Sequence, residues 1–161
     1  MNPSGKKMEK SGKRWRLMLQ GEYNHNIDEK GRLIVPAKLR NEIGDSYMIC
    51  KGMDGNLLMY SIIEWDKFAS NLEKLPRMNA NARKLVRHFL GSAHEGSFDK
   101  QGRVLVPQAL RTYANLDKEI VLLGMQDKVE IWDKALREEE EITKEEFYEI
   151  SESMEGLENF F

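Results

Sequence analysis

The sequence contains one cysteine, Cys50, among its 161 residues. A single thiol excludes an internal disulfide and any zinc site built from several cysteines. His25, His88 and His94 are too scattered to form a metal site without a carboxylate partner, so no metal or other cofactor is expected. No apolar run is long enough to span a bilayer. The N-terminus lacks the apolar core of a signal peptide, so a cytoplasmic location is expected. Net charge is also scarce: 25 Lys and Arg stand against 27 Asp and Glu, a formal −2. That balance alone argues against a nucleic-acid binder. With 40% hydrophobic and 32% charged residues, disorder throughout the chain is excluded.

The charge is unevenly spread. Residues 127–161 hold 13 acidic and 4 basic side chains, which leaves residues 1–126 with a net +7. Much of that excess lies in the first 20 residues, where six Lys or Arg accompany Glu9. Residues 21–126 alone carry a net +2, so local motifs must decide the question of DNA binding. The first 20 residues show no periodicity and are expected to be a disordered basic tail, which either adds non-specific attraction to phosphate or precedes a true start at Met18.

The chain repeats itself. Asp28-Glu-Lys-Gly-Arg-Leu-Ile-Val-Pro-Ala-Lys-Leu-Arg40 returns 71 residues later as Asp99-Lys-Gln-Gly-Arg-Val-Leu-Val-Pro-Gln-Ala-Leu-Arg111, with seven of thirteen positions identical. The similarity extends to Gly52-Met53 and Gly124-Met125. Two copies at this spacing are too few for a solenoid and predict two homologous halves that fold together. In each copy, Asp followed three residues later by Gly fits a tight turn with Gly at positive φ. Arg-Leu-Ile-Val then reads as a short buried strand, and Pro36 or Pro107 opens a short helix. Leu39 and Ile43 face inward from the first of these helices and Gly44 stops it; Leu110, Ala114 and Asn115 play these parts in the second. The hairpins Tyr47–Cys50 with Leu57–Tyr60, and Ile120–Leu123 with Val129–Trp132, complete the two units.

Helices are expected elsewhere. Ser61-x-x-Glu64 is a capping box ahead of the apolar stripe Trp65, Phe68, Ala69 and Leu72, and Pro76 ends that helix. Asn79 or Asn81 starts the next, with Ala82, Leu85, Val86, Phe89 and Leu90 inward and Gly91 as the stop. Thr143-x-x-Glu146 caps a third helix that carries Phe147, Ile150 and Met154. The chain thus divides into the tail (1–20), a first motif (22–64), a helical linker (65–92), a second motif (93–136) and an acidic C-terminal helix and tail (137–161). The fold class expected is mainly β with short helices, an α+β unit in which the two repeats close a barrel-like core with intertwined hairpins.

Four cations, Lys30, Arg32, Lys38 and Arg40, fall within eleven residues of the first motif. An Arg beside a Gly turn can project from a strand end into a groove, where its planar fork suits guanine edges or phosphates. The same Arg32 could instead pair with Asp28, and Arg103 with Asp99, and only stiffen the turns. Arg40 and Arg111 could pair with an acid or bind phosphate. Arg83, Lys84, Arg87 and His88 read as a solvated basic face, Glu138–Glu141 as a solvated helix end, and Trp65 and Trp132 as core.

Gly21-Glu-Tyr-Asn-His-Asn-Ile-Asp28, followed by Glu-Lys-Gly-Arg-Leu-Ile-Val-Pro36, closely resembles the MraZ family of bacterial regulators, and the likeness covers roughly residues 18–150. The resemblance implies two AbrB-like swapped-hairpin motifs in one chain and a ring-like homo-oligomer. It also implies a nucleoid-associated transcriptional regulator, a repressor, that binds double-stranded DNA at direct repeats. Those repeats would lie upstream of a cell-division and cell-wall gene cluster that includes its own gene. The family's main DNA-contacting Arg maps to Arg32 and Arg103. The second copy has Gln101 in place of Lys30 and Ala109 in place of Lys38, which makes it the poorer reader.

Two other functions compete. An antitoxin-like regulator would use the acidic C-terminal tail to hold a partner protein. A self-cleaving enzyme of related barrel fold would need a Gly-Ser bond such as Gly91-Ser92 or Gly96-Ser97, but no convergent acid, base and oxyanion donors accompany either, so no enzymatic activity is expected.

Overall fold

A computed structural model describes residues 18–161, together with the backbone of Lys7–Met8 (β1) and Trp15–Arg16 (β2), which pair antiparallel. The expected disordered tail otherwise lies outside the described residues, except at its end. Leu19 and Gln20 already belong to β3 (Leu19–Asn26), and Leu19 is fully buried.

The chain continues through β4 (Arg32–Ile34), α1 (Ala37–Ile43), β5 (Ser46–Lys51) and β6 (Leu57–Ser61) to α2 (Ile62–Glu73) and α3 (Ala80–Leu90). The second copy follows as β7 (His94–Ser97), β8 (Arg103–Leu105), α4 (Gln108–Tyr113), β9 (Glu119–Gln126) and β10 (Val129–Asp133). Helices α5 (Lys134–Glu140) and α6 (Lys144–Ser153) and a 3-10 turn at Leu157–Phe160 end it. The fold is α+β, as expected.

The strand order is β3-β9-β10-β6-β5-β7, antiparallel throughout, and it reads the same from either end when the copies are exchanged. The first strand of each copy leaves its own hairpin and pairs with the other's: β3 with β9, and β7 with β5. The short strands do likewise, β4 pairing with β8 through Leu33 opposite Val104. Hydrogen bonding does not run as one closed ring; the Ile27–Leu33 bridge links the β4–β8 ribbon to the chain of β3.

The main core lies between the ribbon and the six-stranded sheet. Leu33, Val35, Leu39 and Ile43 from copy one meet Val104, Val106, Leu110 and Ala114 from copy two over Ile49, Met59, Leu122 and Ile131. Pro36 and Pro107 hold equivalent positions at the helix starts, as expected, but as the N-caps of α1 and α4 rather than as their first helical residues. Gly44 and Asn115 follow those helices at positive φ. A second cluster joins Cys50, Leu58 and Tyr60 to Trp65, Leu72 and Phe89 of α2 and α3. Strand β6 is therefore buried on both faces and reads as a continuous apolar run.

The helix caps form as expected. Ser61 Oγ accepts from the Glu64 N–H, Asn79 Oδ1 from Asn81 and Ala82, and Thr143 Oγ1 from Glu146. Leu85 is a correction: it is 51% exposed. Helix α3 buries only the arc through Ala82 and Phe89, and Leu85 lies beyond that arc. Helix α5, of which sequence marks only the acidic end, is capped by Asp133 and packs on β9 and β10.

Candidate nucleic-acid interface

Each Asp-x-x-Gly-Arg segment builds the same turn. Gly31 N–H donates to Asp28 O at 3.0 Å, and Asp28 N–H to Arg32 O at 3.0 Å. The Asp28 carboxylate accepts from the backbone N–H of Lys30 and Arg32 through Oδ1 and from Arg32 Nε, at 2.6 Å, through Oδ2. In copy two Asp99 binds Gln101 and Arg103 in the same way, with Arg103 Nε at 2.8 Å. The Arg32 backbone N–H, then its guanidinium, hold Asp28 below the ordinary carboxylate range against partial desolvation; Arg103 does the same for Asp99. Arg32 does brace its turn, but through Nε alone. The terminal nitrogens of the fork are not used by that pair, and the side chain is 37% exposed. Arg103 is more enclosed, at 25%.

The sequence reading of Arg-Leu-Ile-Val as uniformly buried needs correction. Leu33, Val35, Val104 and Val106 are fully buried, but Ile34 is 47% and Leu105 60% exposed. Two-residue alternation explains this: a ribbon on the surface of a core has one face in and one out. A strand of three residues between Arg and Val carries too little polar patterning to announce its outer face. Register places Arg32 opposite Leu105 and Arg103 opposite Ile34. The outer face of the ribbon therefore carries two arginines on one diagonal and two aliphatics on the other, related by the pseudo-two-fold.

Arg40 and Arg111 are placed differently. Arg40 Nε donates to Val35 O at 2.8 Å and Arg111 Nε to Val106 O at 3.0 Å, so neither pairs with an acid through that nitrogen. Each also covers the other copy's turn. A Cβ on Gly102 would lie 2.5 Å from the Arg40 guanidinium carbon, and one on Gly31 would lie 2.7 Å from Arg111 Nε and 2.6 Å from Val106 O. Gly31 and Gly102 stand at φ 85° and 75°, so they are required both for the turn and for this close approach. Backbone bonds from Val35 N–H to Gly102 O and from Val106 N–H to Gly31 O complete the exchange.

Lys30, in the turn beside Arg32, and Lys38, in the first turn of α1, are exposed. The other candidates lie elsewhere. Arg83 Nη1 donates to Arg77 O, and His88 Nε2 meets Gly52 O at 2.7 Å. Ser92 Oγ donates to His88 O and accepts from Lys51 N–H, and Ser97 Oγ meets Ser46 Oγ. Among the described residues, no group of three or more His, Cys, Asp or Glu comes together to hold a metal ion, and no helix is long and apolar enough to cross a membrane.

A family model described as MraZ protein, antitoxin-like, matches residues 18–88 and again 89–155. The transcriptional regulator MraZ of Clostridium acetobutylicum is 50% identical over 117 residues, 73% of this chain and 82% of that protein. The transcriptional regulators MraZ of Clostridium tetani and Thermoanaerobacter pseudethanolicus are 44% and 43% identical over 87% of this chain and 99% of theirs. With both repeats matched and nearly the full length of such relatives covered, the chain belongs to the MraZ family of transcriptional regulators.

Proposed function

We propose that this regulator binds double-stranded DNA in a sequence-specific way through the outer face of the β4–β8 ribbon. The observation that carries the reading is the pairing of Arg32 and Arg103 on one exposed two-stranded ribbon. The major groove admits such a ribbon, and the paired end nitrogens of Arg match O6 and N7 of guanine. Lys30 and Lys38 add phosphate contacts on the copy-one side. Arg40 and Arg111 act mainly as positioning residues that lock the turns. The targets are direct repeats upstream of a cell-division and cell-wall gene cluster that includes the protein's own gene, which makes the protein nucleoid-associated. The test is binding to that upstream DNA against scrambled DNA across a salt series. Preference for the upstream DNA that persists as salt rises supports the reading; equal binding that falls together with salt defeats it.

A single ribbon holds few cations, so tight binding requires several copies on adjacent repeats. We assign the joining surface to α6, where Phe147 and Ile150, with Met154 at the C-cap, are exposed on a helix that also carries Glu145, Glu146, Glu149 and Glu152. Its occupant is a second copy, whose residues 21–126 carry the opposite net charge. Phe147→Ser with Ile150→Ser should leave a folded protein of smaller mass in sedimentation. An unchanged mass would remove α6 from the contact. Loss of a co-purified protein with no change in self-association would favour the antitoxin-like alternative, in which this acidic helix holds a different protein.

A further inference from the structure

Resting on the DNA-binding reading, the geometry points to Ile34 and Leu105 as specificity-determining residues that read the 5-methyl groups of thymine. Both are large aliphatic side chains held at the surface, on a ribbon whose inward neighbours Leu33 and Val104 are fully buried. The main core is complete without them. Leaving two such residues exposed on one face of a short ribbon costs solubility, and a contact that covers them offsets that cost. Their neighbours identify the contact. Each aliphatic stands directly across the ribbon from an arginine, and each strand carries one arginine and one aliphatic two residues apart.

These spacings match base edges. Residues two apart on a strand lie about 6.6 Å from each other, and directly opposed residues about 5 Å. Base pairs stack at about 3.4 Å, so the four side chains span two to three steps of the duplex. In the major groove only thymine offers an apolar group, its C5 methyl, and guanine offers the acceptor pair that suits Arg. An alternation of arginine and aliphatic thus matches a short element in which guanine and thymine are interspersed. A protein surface would also bury Ile34 and Leu105, but it would have to supply acceptors, at matched spacing, for the terminal nitrogens that the Nε pairs with Asp28 and Asp99 leave unused. Duplex DNA supplies acceptors for the remaining nitrogens and phosphates for Lys30 and Lys38.

The test uses the full chain. Duplexes are selected from a random pool, and each thymine of the best-bound sequence is then replaced by uracil, which pairs identically and lacks the methyl. Dissociation constants are measured for the unaltered protein, Ile34→Ala and Leu105→Ala. Removal of one buried methyl contact should weaken binding about four-fold. At one or two positions uracil should weaken the unaltered protein by that factor and leave the matching alanine variant unaffected. Arg32→Ala should remain sensitive to uracil if it still binds. Selection of no sequence at all would defeat the DNA-binding reading itself. Selection of a sequence in which uracil has no effect, or weakens the alanine variants as much as the unaltered protein, would overturn this inference and leave that reading standing. Melting temperatures of the two variants should match the unaltered protein, since neither side chain belongs to the core.

Discussion

The two copies share a backbone and differ in what surrounds it. In copy one the β5–β6 hairpin is covered on its outer face by two helices, with the rings of Tyr60, Trp65 and Phe68 in mutual contact and Phe89 edge-on against Phe68. In copy two the corresponding hairpin, β9–β10, carries the single short helix α5, tied by Arg137 to Glu22 and Lys134 to Glu119. Helix α6 follows with its apolar residues exposed. The turns differ as well: Lys30 and Lys38 against Gln101 and Ala109, with Arg32 more open than Arg103. Lys100 stands where copy one has Glu29, so residues 28–40 and 99–111 both carry a net +2 and the copies differ in where their charges sit rather than in their sum. A dimer of identical chains could not place them differently in its two halves.

The sharpest test of this comparison is Arg32→Ala against Arg103→Ala in an operator-binding assay. Losing a bidentate base contact costs about 1–3 kcal/mol and recurs in every engaged subunit, so Arg32→Ala should abolish specific binding. Arg103→Ala should weaken it less, and Arg32→Lys should recover little because lysine lacks the planar fork. Equal losses would show the copies to be equal readers. If Arg32→Ala lowered only the melting temperature, and Asp28→Ala matched it, bracing would be its whole role.

The next effect is on stability. Gly31→Ala should cost more than Gly102→Ala, in the range of about 1–3 kcal/mol for forcing a side chain into left-handed backbone, as read by urea denaturation. The added methyl on Gly31 lies nearest the backbone oxygen of Val106, whereas the three atoms nearest one on Gly102 all belong to the Arg40 side chain. Arg40→Ala should therefore ease Gly102→Ala, with nothing comparable from Arg111→Ala for Gly31→Ala.

A smaller gain is expected from Gln101→Lys with Ala109→Lys, which puts lysines in copy two at the positions of Lys30 and Lys38. Affinity should rise and the salt slope steepen by about one for each phosphate contact added. An unchanged slope would place both positions away from DNA.

The smallest effect is on pH dependence. Asp28 and Asp99 are held below the ordinary aspartate range, so their contribution is present above that range and disappears as pH falls through the lower folded values. Both carboxylates are exposed, so the slope is shallow. Asp28→Asn should flatten the acid limb of a melting-temperature profile, and a similar change from Asp99→Asn would mark the braces as equivalent.

The local rules were readable from sequence because they act over a few residues: the turn glycines, the prolines ahead of α1 and α4, and the caps at Ser61, Asn79 and Thr143. The burial of Leu39 and Ile43 followed from helical spacing. What escaped depended on distant parts of the chain. That β3 pairs with β9 cannot be read from either strand. The covering of Gly102 by Arg40 exists only once the copies have interlocked. Ile34 and Leu105 were misjudged because a three-residue strand has no room for a polar alternate, and Leu85 because the width of the buried arc on α3 is set by its neighbours. Helix α5 could have been found from the repeat, since Asp133 stands 72 residues after Ser61 and caps its helix in the same way.

The exchange of first strands also sets an order of events during synthesis. Strand β3 leaves the ribosome before its partner β9, which comes about 100 residues later, a wait of roughly 5–20 s at ordinary rates of elongation. For that interval β3 is a nascent strand with an open edge. Its composition suits the delay: Gln20, Glu22, Asn24 and Asn26 alternate along it, a pattern that resists premature association with other chains. Strand β6, Leu57-Leu-Met-Tyr-Ser61, is far more apolar, and one of its edges has no such wait because β5 has just preceded it, while the other awaits β10. The most adhesive strand of copy one is made only when one neighbour is already present.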